Sequence, residues 1–167
     1  HAGSGGRNQY THSCGDYRYP TFMGGGGYSS ADGGGAIHII ASSITVDGDI
    51  NMNGEKNSYS GGAGGSIWIE TGTLSGTGSI TADGGQAASD SNYAGGGGGR
   101  IAIHANDISG FSGTMTACGG ESVSGQIYRG SPGSLYTELG PSVSTRVHNM
   151  IYNNCGRDTN MKTRPFS

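Results

Sequence analysis

Long apolar runs, helical periodicity, basic clusters and closely spaced cysteines are all missing from this chain of 167 residues. Nothing approaches the roughly 18 consecutive apolar residues of a transmembrane helix, so no membrane span is expected. Lys and Arg number nine against twelve Asp and Glu, a net charge of −3. Without a basic stripe the electrostatic footprint of a phosphate binder is absent, and nucleic acid is not an expected partner. No segment spaces its apolar residues as a helix would. Each of the 36 glycines would cost a helix roughly 1 kcal/mol relative to alanine, which argues against helical structure. The three cysteines, Cys14, Cys118 and Cys155, have none of the short spacings of a metal knuckle or a redox pair. Their odd number leaves at least one thiol free or joined to another chain. No Asn-x-Ser/Thr acceptor occurs, so standard N-glycosylation is not expected, although O-linked sugar on Ser and Thr stays open. No secretory signal is visible. A chain that opens on His1 reads as a mature product or an excised domain, and a removed signal peptide is compatible with it.

What is present is a repeat. Ile37-His-Ile, Ile67-Trp-Ile and Ile101-Ala-Ile open three copies, and Leu135-Tyr-Thr opens a fourth. The starts at 37, 67, 101 and 135 give a period of 30 to 34 residues, the mark of a repeat array. Within each copy apolar residues return at the same phase. Ile37, Ile39, Ile44 and Ile50 match Ile67, Ile69, Leu74 and Ile80, and these match Ile101, Ile103, Ile108 and Met115. Alternation with period two puts the members of each isoleucine pair on one face of a strand. Glycines close each copy at Gly54, Gly84 and Gly119. One copy cannot bury a face of such short strands, but stacked copies can. The expected fold is all-β: a single-stranded, right-handed parallel β-helix (a β-solenoid) with one coil per 30–34 residues and glycine-rich loops. An antiparallel sandwich of 30-residue hairpins is the alternative. The extra residue near Phe111 reads as a bulge in the third copy.

This divides the chain into a glycine-rich entry segment (1–36), the repeats (37–66, 67–100, 101–134 and a partial 135–139) and a C-terminal capping or assembly tail (140–167). The glycine-rich connections 55–66, 85–100 and 120–134 are either flexible insertions or ordered extended segments packed closely together. Recurrence of a glycine run just before each first strand favours the ordered version. In the tail, residues 142–152 read as a strand that either caps its own coil or adds to the next molecule. An open end that associates head to tail without closing builds a filament.

Gly-Gly-Ala-Gly-Gly-Ser-Ile-Trp-Ile (61–69), Gly-Thr-Leu-Ser-Gly-Thr-Gly-Ser-Ile-Thr-Ala-Asp-Gly-Gly (72–85) and Gly-Gly-Gly-Gly-Gly-Arg-Ile-Ala-Ile (95–103) resemble a glycine-rich β-helical repeat of large extracellular and cell-surface proteins of microbes, protists and simple animals. Residues 14–27 are similar to the entry to such arrays. The resemblance covers roughly 1–139. It implies a secreted location and a structural or adhesive role, and it carries over no catalytic residue.

Several groups invite a chemical reading. Asp49-x-Asn51-x-Asn53-Gly54 matches half of a calcium loop, but the twelfth position is Ser60 and not a bidentate acid, and Ile50 and Met52 hold inward phases. His38 and His104 lie on outward phases one position out of register, and Glu70 shares the phase of His104, where a surface Glu70–His104 contact is expected to contribute little. Asp83, Asp90, Asp107 and Glu121 are scattered, and the only cations within 31–128 are Lys56 and Arg100, so no glycosidase-like carboxylate pair is specified. Thr71, Thr73, Thr77 and Thr81 hint at an ice-binding ladder but do not recur at one phase. Trp68 is outward and is the candidate glycan contact, or else packs beneath a loop or a neighbouring subunit. Cys118, outward and beside a closing glycine, is a candidate disulfide partner for Cys14 or Cys155, with Cys14–Cys155 as the other possible pairing.

These readings lead to a non-enzymatic extracellular or cell-surface structural protein with no catalytic, cofactor or metal site. It would be a self-associating module of a filament, appendage, coat or matrix. Its expected partners are further copies of itself, head to tail, or neighbouring modules of a larger surface protein. The alternative is a carbohydrate-binding or polysaccharide-degrading β-helix protein.

Overall fold

A computed structural model describes residues 15–88, 93–123, 129–142, 144–152 and 155. Each of the three full repeats contributes one long strand and one short strand to different sheets, and the partial fourth contributes a long strand only. The long strands are β1 (Ala36–Thr45), β3 (Ser66–Gly76), β5 (Arg100–Phe111) and β7 (Ser134–Leu139). The short ones are β2 (Asp49–Asn51), β4 (Ser79–Thr81) and β6 (Thr114–Thr116), and β8 (Val147–Ile151) follows the repeats. The larger sheet runs β1-β3-β5-β7-β8 and the smaller β2-β4-β6. No helix occurs among the described residues.

The fold is all-β, but the expected single-stranded parallel β-helix is not what forms. The five-stranded sheet is mixed: β1, β3, β5 and β7 pair in parallel, whereas β8 returns antiparallel to β7. The turn-back begins at Gly140, whose φ of +129° suits glycine and strains any other residue. A uniform coil is further interrupted because the glycine-rich runs between copies form backbone hydrogen bonds without becoming ladder strands.

Register explains the repeat. Ile37, Ile67, Ile101 and Leu135 are consecutive partners across the large sheet, as are Ile39, Ile69, Ile103 and Thr137. Ile50, Ile80 and Met115 align across the small one. These columns meet in one core, with Ile67, Ile69, Leu74, Ile80, Ile101 and Ile103 fully buried. Burying such a side chain contributes about 1.5–3 kcal/mol. Ile37, Ile39, Ile44, Ile50, Ile108 and Met115 are partly buried against this core. The extra residue of the third copy is absorbed where Thr73 pairs with Asp107 and Ser75 with Gly110. There the Asp107 carboxylate accepts the Ser109 N–H and hydroxyl and holds the bulge.

The glycine runs are ordered and stack on one another. Gly34 N–H donates to the Ala63 carbonyl (2.8 Å), Gly64 to Gly97 (2.8 Å) and Gly98 to Ser131 (2.9 Å), each linking one copy to the next. Gly65, Gly99 and Gly133 donate to Met52, Ala82 and Ala117, just beyond or near the short strands. A Cβ on Gly65, Gly99 or Gly133 would lie 1.8–2.1 Å from the carbonyl oxygen of Gly35, Gly65 or Gly99 respectively. Backbones this close exclude every side chain, which is why the runs are glycine.

The described part of the entry segment crosses the outer face of the large sheet. Tyr17 packs edge-on against Tyr136, Tyr19 stacks on His104, and the Phe22 carbonyl accepts the Ser66 hydroxyl. Beyond this the chain joins the glycine layer, where Ala63 N–H donates to the Gly25 carbonyl (2.9 Å).

Candidate functional site

Because strand side chains alternate, the outer face of the large sheet carries its own columns. His38, Trp68, Ala102, Tyr136 and Met150 form one, and Ile40, Glu70, His104, Glu138 and His148 the next. Trp68 does not stand free: His38 stacks on it at 3.6 Å and Tyr19 meets it edge-on at 5.4 Å. Among the described residues its Nε1 has no hydrogen-bond partner. His38 Nε2 lies 2.8 Å from Glu70 Oε1, so these two groups pair between neighbouring strands, while His104 is drawn to a different carboxylate.

That carboxylate is Glu138, 7% exposed and the centre of the densest polar cluster on this face. Tyr136 donates its hydroxyl to Glu138 Oε2 (3.0 Å) and lies 2.7 Å from His148 Nδ1. Arg146 Nη1 donates to Oε1. His104 Nδ1 and His148 Nδ1 approach Oε2 at 3.6 and 3.7 Å. His104 Nε2 donates to the Arg18 carbonyl (2.8 Å), which fixes the ring. Burial by itself raises the Glu138 carboxyl, but the Tyr136 hydrogen bond and the His104, Arg146 and His148 charges outweigh it and hold it below the ordinary range. Burial and the bond to Glu138 push the Tyr136 hydroxyl upward, so it stays a donor. A groove of about 160 Å³ opens beside the cluster, lined by Glu70, Asn106, Glu138 and Arg146 among others. With the carboxylate already occupied by Tyr136 and Arg146, the cluster resembles a structural clasp between β5, β7 and β8 more than a reactive pair.

The other candidate residues are spread apart. Asp49 accepts the Ser79 hydroxyl, the Asn51 side chain accepts the Asn53 N–H, and the Asn53 side chain accepts the Asp83 N–H. Cys118 and Cys155 form a disulfide, with Cα atoms 5.9 Å apart. Cys14 lies outside the described residues, as does Asp90. Asp83 sits beside the two sulfurs, but these are spent on the disulfide, and the carboxylate accepts the Cys118 N–H and the Thr116 hydroxyl.

The ends of the sheets differ. At one end β1 and β2 are edge strands, and no described strand covers them. Ser66 N–H donates to the Gly35 carbonyl. Alternation along the parallel ladder then turns the N–H groups of Ile37 and Ile39 toward β3 and those of His38 and Ile40 toward the open side. Ile37, Ile39, Ile44 and Ile50 are incompletely buried here, and Ile40 is 71% exposed. At the other end β8 covers β7, and the Cys118–Cys155 bond fastens the tail.

One aromatic column escaped the sequence reading. Tyr28, Tyr59 and Tyr93 recur at spacings of 31 and 34 residues and touch, with ring centroids 5.0–6.4 Å apart. Their common period with the isoleucines was the available signal. Tyr136 and Glu138 shared the repeat phase of Ala102 and His104, but Arg146 and His148 had no such signal, because the antiparallel return of β8 is what brings them to the carboxylate. Compared with protein-family models, curated proteins and solved structures, the chain matches none.

Proposed function

We propose that this chain is a non-enzymatic structural module of an extracellular or cell-surface assembly, and that it self-associates through its strand edges. The observation that carries this reading is the β1–β2 end. It presents outward N–H groups beside the partly buried isoleucines of β1 and β2, which is the surface that natural sheets otherwise shield from edge-to-edge pairing. The Cys118–Cys155 disulfide supports an oxidising compartment. The interlocked glycine layer supports a load-bearing role, because every copy is hydrogen-bonded to the next. Sedimentation of the purified chain over a concentration series, with electron microscopy of the same samples, tests the proposal. Mass should grow with concentration, and a dispersed monomer at every concentration and salt refutes it.

A second reading, carbohydrate binding, is favoured by the exposed tyrosine column and not by Trp68, whose ring is covered by His38. Tyr28 is 69% exposed and offers a face for sugar stacking. Loss of glycan-array binding on Tyr28→Ala, with Trp68→Phe unchanged, would favour it.

A further inference from the structure

We infer that self-association is polar: the open β1 edge of one copy accepts the outer edge of β8 from the next, and the occupant of the open end is a second copy of this chain in the same orientation. The inference rests on the self-association proposed above and adds which surfaces meet.

Three observations point to it. First, β8 is the opposite border of the large sheet and has no described strand on its outer side, while its first residue, Val147, is 58% exposed. Second, direction fits. β8 runs antiparallel to β1, β3, β5 and β7. A copy translated along the stack therefore places its β1 antiparallel to β8, and antiparallel pairing is slightly the more stable kind. The inward columns also reach both borders, Ile37 lying in line with Leu135 and Ile151, and Ala41 with Leu139 and Val147.

Third, the two ends differ in charge. Around β1 and β2, residues 32–56 carry Asp32, Asp47, Asp49 and Glu55 against Lys56, three net negative charges. At the far end, residues 107–123 and 129–152 carry Asp107, Glu121 and Glu138 against Arg129 and Arg146, one net negative charge, with His148 exposed beside them. The alternative, two open ends meeting about a two-fold axis, presses the two more acidic rims together within about a Debye length of 8 Å. Like charges there oppose the closed dimer more strongly than they oppose the polar contact.

The test uses one variant for each edge. Ile40→Pro removes an outward N–H without touching a bond to β3, and Ile40→Lys serves as the second variant should proline disturb the fold. Val147→Asp puts a carboxylate where the acidic rim of the next copy would lie. Circular dichroism melts confirm that each variant is folded. Wild type should form a concentration-dependent series of masses. Each variant alone should be monomeric, and an equimolar mixture of the two should give a one-to-one dimer and nothing larger, because one intact edge of each kind remains. If Val147→Asp alone still dimerises while Ile40→Pro or Ile40→Lys does not, and mixing produces no heterodimer, the ends meet about a two-fold and the polarity is overturned with self-association intact. If wild type itself is monomeric throughout, the self-association reading fails as well.

Discussion

Replacing Gly96 with alanine would put a methyl carbon 1.9 Å from the Gly62 carbonyl oxygen and 2.4 Å from its carbon. Cβ atoms essentially never come within 3.0 Å of another heavy atom, so one backbone has to retreat by about an ångström. Gly96 is not free to move. Its N–H donates to the Gly85 carbonyl (2.9 Å), and its own carbonyl accepts the Gly120 N–H (2.8 Å). Overpacking costs about 1–3 kcal/mol, and a buried hydrogen bond left unmade adds about 1–3 kcal/mol. The expected loss is about 2–6 kcal/mol, a large part of the 5–15 kcal/mol that holds a typical domain. At 2–4 °C per kcal/mol for a chain of this size, the melting temperature should fall by about 4–24 °C. Gly48→Ala is the matched control. A Cβ there meets nothing within 4 Å, and the smaller entropy of the unfolded alanine chain should leave stability unchanged or raised by up to about 1 kcal/mol. Thermal and urea unfolding followed by circular dichroism would measure both. Equal melting temperatures for Gly96→Ala and Gly48→Ala would mean that the glycine layer is not close-packed, and the account of why these runs are glycine would be wrong.

Other outcomes follow from the core, the disulfide and the acid cluster. Ile69→Ala, at a fully buried position, should cost about 2–5 kcal/mol in urea unfolding, and Ile39→Ala in the same column clearly less, because β1 has a neighbour on one side only. Reducing Cys118–Cys155, or replacing both cysteines with serine, releases a cross-link spanning 37 residues and should lower stability by about 4 kcal/mol on the chain-entropy estimate. The Glu138 carboxyl is held below its ordinary value in the folded state, so its contribution is complete above that ordinary value and is lost as pH falls through the depressed one. Stability measured from pH 6 downward should therefore decline on the acid side of the ordinary glutamate range, about 4.3, and Glu138→Gln should flatten that decline. An unchanged acid slope in the variant would show that the cluster is not linked to folding.

Much of the architecture was legible because stacking makes identical demands on every copy. A residue that faces the core in one repeat sits above and below its counterparts, so Ile67, for example, has Ile37 and Ile101 as partners and the chemistry must recur. The glycine runs were legible for the same reason, since backbone contact allows one residue type at each level. The candidate site was less so. Glu138 belongs to a partial fourth copy, and neither Arg146 nor His148 shares the repeat phase. Trp68 could be read only as outward, either a glycan contact or a ring beneath a loop or neighbouring subunit, because phase says which way a side chain leaves the strand and not what another segment lays over it. Here that segment brings Tyr19.

By itself, the sequence points to an all-β chain, to the residues that share a column and, through the recurring glycine runs, to close-packed backbone over flexible insertion, because those features repeat and repetition is visible in one dimension. The tertiary structure alone decides that the copies divide between two sheets, that β8 reverses direction to border the large sheet opposite β1, and that Cys155 pairs with Cys118. The place of β8 and the partner of Cys155 are each a contact between a unique segment and the repeats. Such a contact depends on where the chain turns in space, which no spacing along the sequence encodes.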